Sequence, residues 1–169
     1  MTFKRLALVI IILMAALSRL IPHPPNFTPI MAMALLGGVY FKNKQFAVIV
    51  PLLAMVISDI VLGFHGTMIW VYSSIVIISF SASFLKPTMI HLGFASVGSS
   101  LFFFLVTNFG VWMTSSFYSK TLTGLGACYN AGLPFLQNAM AGDLMYVGIL
   151  FGVFELAKIS IPQLSADTV

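Results

Sequence analysis

Arg19, Asp59 and Asp143 are ionisable residues set in apolar stretches of a 169-residue chain, Asp59 within the run Val56-Ile57-Ser58-Asp59-Ile60-Val61. A charge deep in a membrane span costs about 2.5–3.5 kcal/mol even on lenient scales, so such residues face a helix bundle and pair. Two chemistries follow. Arg19 bonds Asp59 or Asp143 and ties helices together, or the acid left over faces a polar ligand, a cation or a proton, because one guanidinium cannot fully neutralise two carboxylates.

Asn26, Asn108, Asn138 and Ser58 lie near the same level, with Trp112, Tyr118 and Tyr129 close by. A few oriented hydrogen bonds inside an apolar lining are what a small-molecule site needs. Trp and Tyr also gather at membrane interfaces as anchors. An amide inside a span is costly to leave unpaired, which favours ligand contact for Asn108 and Asn138.

Other chemistry is sparse. His23, His65 and His91 lack the spacing of a metal site, and Cys128 is the single cysteine, so an internal disulfide is excluded. No serine has the local context of a nucleophile elbow, and there is no glycine-rich phosphate loop. The chain is therefore expected to be no enzyme and to carry no metal or other cofactor. Glu155 and Lys158 are three apart, which puts them on one helical face as a local pair, and Asp167 is expected in a solvated tail.

The elements that position these residues follow from composition. Asp, Glu, Lys and Arg make up 7% of the chain, against roughly 25% in soluble proteins. Hydrophobic residues are 60% and the mean hydropathy is +1.06. A soluble domain of this size leaves about 30% of its unfolded surface exposed and could not hide so many apolar side chains. The expected fold is an all-α integral membrane protein, one domain over residues 1–169. Its six-transmembrane-helix bundle has approximate spans 6–21, 28–41, 45–64, 67–85, 88–112 and 137–159. The eight basic residues form no patch of the kind that neutralises nucleic acid phosphates.

Lys4, Arg5, Lys42, Lys44, Lys86 and Lys158 fall on the side of both termini, which the positive-inside bias places in the cytoplasm. The first segment lacks a clean small-x-small cleavage site and is read as a retained helix. Segments 23–27, 65–66 and 113–136 then face outward. Spans 28–41 and 6–21 would be only about 21 and 24 Å long. Either they tilt or thin the bilayer, or they leave a recess on the outer side. Pro29 suits the first turn of a helix capped by Thr28 or Asn26, and Pro51 either kinks the third helix or marks its start. The stretch 114–136, with Gly124, Gly126, Gly132 and Pro134, is expected as an irregular, packed lid. Gly148 and Gly152 form a GxxxG, and Ala34 and Gly38 repeat that spacing; both suit close helix packing, within the bundle or against a partner.

The layout resembles the substrate-binding S component of energy-coupling-factor vitamin transporters. The likeness rests on six short helices, the Pro-rich segment Pro22-His-Pro-Pro-Asn-Phe-Thr-Pro29, then Gly37-Gly38, Ser58-Asp59 closing the third helix, and a long fifth loop. The run from Thr107-Asn-Phe-Gly-Val-Trp112 through Tyr129-Asn-Ala-Gly-Leu-Pro-Phe135 to Gly142-Asp143 is also similar to a family of small uncharacterised bacterial membrane proteins. The resemblance implies a multi-pass protein of the bacterial cytoplasmic (inner) membrane that binds a vitamin or similar small nutrient on its outer side. It also implies partner transmembrane coupling and ATPase subunits that hydrolyse ATP. Carried over, the third-loop neighbourhood is 59–67 and the fifth-loop side 108–143, and the substrate-binding candidates are Asn26, Asp59, His65, Asn108, Trp112, Tyr129, Asn138 and Asp143. A corrinoid ligand would find an axial donor in His65, His23 or Cys128. The competing readings are a membrane enzyme acting on a lipid or quinone, and a structural or assembly subunit.

Overall fold

The computed structural model describes residues 2–165 and, among these, is all-helical. The helices are α1 (Phe3–Ser18), α2 (Ile30–Tyr40), α3 (Lys44–Leu62), α4 (Met68–Ala82), α5 (Met89–Thr114), α6 (Leu122–Ser160) and the short α7 (Pro162–Ser165). By length and composition α3, α5 and α6 are long and apolar enough to cross a membrane, while α2 and α4 are apolar but shorter.

Local chemistry sets the helix starts. Asn43 caps α3 by accepting the Gln45 N–H at 2.8 Å. Thr88 caps α5 and Thr121 caps α6, each accepting a backbone N–H from the first turn. A side-chain oxygen in that position satisfies one of the donors a helix leaves open at its start.

Helix α2 is the centre of the bundle. Every residue from Met31 to Gly38 is buried, and α2 packs against α1, α3, α4, α5 and α6. A helix that is apolar on all sides needs that kind of surround. Close approach is made at Gly37, which seats Pro51 of α3, and at Gly38, where an added Cβ would collide with the Ser79 carbonyl and Ala82 of α4. Ala34 is fully buried in the same core.

Three of the basic residues assigned to one side, Arg5, Lys44 and Lys158, lie at one end of the bundle. Arg5 lies over Phe46 at 5.6 Å, Lys44 over Phe84 at 3.9 Å, and Lys158 over Tyr40 at 5.6 Å. Lys158 also bonds Glu155 at 2.8 Å, the local pair expected from their spacing. Asp167 lies outside the described residues.

Several expectations need correction. The segment 114–136 is not a loop. Helix α6 starts at Leu122 and runs through Pro134 for 39 residues, so the irregular connection after α5 is only 115–121. Gly132 does not break the helix. It is buried where α6 meets Asn108 and Phe104 of α5, and α5 with α6 makes the most extensive helix contact in the fold. The sixth helix therefore starts well before residue 137. The first ends near Ser18 rather than residue 21, with Arg19 as its C-cap. Pro51 lies inside α3 and does not mark its start. Pro29 itself occupies the N-cap of α2, without a capping side chain; neither Thr28 nor Asn26 caps it. Finally, an added Cβ at Gly148 or Gly152 would meet open space, so neither glycine is needed for a close helix contact among the described residues.

Candidate functional site

At 1.5 Å per residue, α2 is about 16 Å long while α5 and α6 are about 39 and 58 Å. A central helix so much shorter than its neighbours leaves the space beyond its N-terminus unfilled. That space is a cavity of about 570 Å³, within the size range of small-molecule sites. Its floor is Thr28, Ile30 and Met31, and its walls come from Arg19 at the end of α1, Met55 and Leu62 of α3, and Phe103, Thr107, Asn108 and Val111 of α5.

The remaining wall is one face of α6. Cys128, Ala131, Gly132, Phe135, Ala139 and Asp143 line the cavity at steps of one, three or four residues, the spacing that keeps side chains on one side of a helix. Loop residues His23, Asn26, His65, Thr67 and Tyr118 complete the rim. The loop before α2 is fixed to α6: Asn138 donates from Nδ2 to the Pro25 carbonyl at 3.0 Å, and Phe27 packs over Gly142. Asn26 sits there at φ 62°, a left-handed conformation that Asn tolerates better than most residues.

Two carboxylates lie at this end with different partners. Arg19 Nη1 bonds Asp59 Oδ1 at 2.8 Å, and also reaches Ser58 Oγ and Met55 Sδ. Tyr72 donates its hydroxyl to Asp59 Oδ2 at 2.9 Å. Asp59 is fully buried behind Arg19 and is not part of the cavity wall, whereas Arg19 is. Arg19 Nε has no hydrogen-bond partner among the described residues.

Asp143 is on the wall and buried. Ser100 of α5 donates to its Oδ2 at 2.6 Å, and the carboxylate faces the backbone N–H of Met31 in the first turn of α2. That places a carboxyl group beside a helix N-terminus that has no side-chain cap of its own. Among the described residues no Lys, Arg or His is paired with Asp143.

Of the substrate-binding candidates, Asn26, His65, Asn108 and Asp143 line the cavity. Trp112, Tyr129 and Asn138 are not among its lining residues and hold neighbouring structure instead. Trp112 Nε1 bonds the Ser119 carbonyl at 2.8 Å and fixes the α5–α6 turn. Tyr129 bonds the Leu105 carbonyl at 2.9 Å and packs on Phe104. His23, His65 and Cys128 share the cavity, but among the described residues no three His, Cys, Asp or Glu side chains are placed to hold a metal ion. His91 is remote, at the start of α5 beside Thr88.

Residues 1–164 match the family of unknown function DUF6580. The chain belongs to this family. No curated protein and no solved structure matches it. The match spans α1 to α6 and hence all the cavity residues of this DUF6580 member.

Proposed function

We propose that this DUF6580 protein is a membrane-embedded substrate-binding subunit for uptake of a vitamin or similar small nutrient. It has six membrane-crossing helices and both termini in the cytoplasm. The observation that carries the reading is the cavity of about 570 Å³ beyond α2, rimmed by loops and lined by oriented polar groups in an apolar wall. The opposite end of the bundle carries Arg5, Lys44 and Lys158, which supports placing that end in the cytoplasm and the cavity on the outer side of a bacterial inner membrane.

Helices α2 and α4 are short for a ~30 Å hydrocarbon layer. In this reading α2 stops short so that its N-terminus forms the floor of a site open to the outside, and α6 is long because it supplies both a membrane span and the outer wall. The chain has no nucleotide-binding motif, so any ATP-driven step belongs to coupling and ATPase partners.

The test is to purify the full chain in mild detergent and identify by mass spectrometry what is released on denaturation. A water-soluble nutrient at near-stoichiometric amount supports the reading. A bound lipid or quinone in the cavity would instead favour a lipid-directed membrane protein.

A further inference from the structure

Resting on the substrate-binding reading, we infer that the ligand is a small organic cation whose positively charged N–H group bonds Asp143 on the cavity wall. The argument is a charge count. The cavity end of the bundle holds two buried carboxylates and one guanidinium, and that guanidinium is committed to Asp59 at 2.8 Å. Asp143 has the Ser100 hydroxyl at 2.6 Å and the facing Met31 N–H, both neutral groups.

An ionised carboxylate has about four acceptor positions. The Ser100 hydroxyl and the facing Met31 N–H address two, and Asp143 is one of the residues that line the cavity. A buried charge is stable when paired as well as hydrogen-bonded. Among the described residues nothing supplies that pairing, and a ligand ammonium, amidinium or protonated heterocycle in the cavity would. The helix N-terminus beside Asp143 presents the Met31 N–H to its carboxyl group, which lines the space above Met31. Phe103, Phe135, Met31 and Met55 on the surrounding walls suit an apolar or aromatic body attached to the charged group.

The test uses the full chain in detergent, with benzamidine and phenethylamine as cationic probes and benzamide and phenethyl alcohol as their uncharged counterparts. Thermal unfolding is followed at fixed ionic strength. The expected result is that both cations raise the unfolding midpoint of the wild type and their neutral counterparts do not. Asp143→Asn, which keeps size and hydrogen bonding to Ser100, should weaken the cation response at least tenfold in concentration. Equal responses to charged and neutral probes, equal responses of wild type and Asp143→Asn, or an equal response to sodium chloride would each overturn the inference. If Asp143→Asn fails to fold, the charged-against-neutral comparison on the wild type decides alone. A stoichiometric copurified nutrient without a basic nitrogen would overturn this inference and leave the substrate-binding reading standing. A nutrient-free protein with lipid in the cavity would remove that reading.

Discussion

Arg19 of the α1 C-terminus and Asp59 of α3 form a buried ion pair at 2.8 Å, and that pairing leaves Asp143 without a cationic partner among the described residues. One relationship thus separates the two acids into a structural one and one presented to a cavity. The assignment has consequences for stability, packing, topology and ligand binding that can be measured separately.

Removing one member of the Arg19–Asp59 pair should be strongly destabilising. A lone buried charge is left behind, at a cost of about 3–5 kcal/mol. Arg19→Met and Asp59→Asn should each lower the unfolding midpoint in detergent, and the double variant should recover part of the loss. A double variant with the summed loss of the two singles would show that the groups do not interact.

Glycines in this fold should differ sharply by position. Gly38→Ala pushes a methyl group into the Ser79 carbonyl and Ala82, so α2 and α4 must separate, at about 1–3 kcal/mol. Gly148→Ala and Gly152→Ala meet open space and should be neutral or stabilising by up to about 1 kcal/mol through helix propensity. Thermal unfolding of the three variants checks the order; loss of stability at Gly148 or Gly152 would mean that something outside this chain packs there.

Orientation is accessible by cysteine labelling in a Cys128→Ser background. Ser116→Cys, in the turn between α5 and α6, should react with a membrane-impermeant maleimide in intact cells. Lys86→Cys, at the basic end, should react only after lysis. The reverse pattern would place the cavity on the cytoplasmic side.

Much of the fold was legible because apolar runs, basic breaks and Pro-rich connections mark helices one to five within a few residues. The sixth was misread. Gly124, Gly126, Gly132 and Pro134 carry the composition of a loop, yet Gly124 and Gly132 are small because α6 is packed tightly there, Gly132 against α5. Thr121 as an N-cap, followed by residues 124, 128 and 132 on one face, was the signal that a helix had begun. For the site, Arg19, Asp59 and Asp143 could be singled out from the sequence, but not which acid Arg19 binds, since that depends on helix rotation. Cys128 entered only as an axial donor, and Ala131 and Phe135 fell in the stretch read as a lid, so the α6 wall was not legible as one helical face.

The most direct test of the central claim compares the wild type with Ala131→Trp, a substitution that adds a large side chain to the cavity wall on an exposed position of α6. Small molecules released from each purified protein are quantified by mass spectrometry, with folding checked by gel filtration and unfolding midpoint. A ligand held by this cavity predicts near-stoichiometric release from the wild type and at least a tenfold loss in a folded Ala131→Trp. Retention of the same molecule at the same occupancy by the filled variant would contradict it.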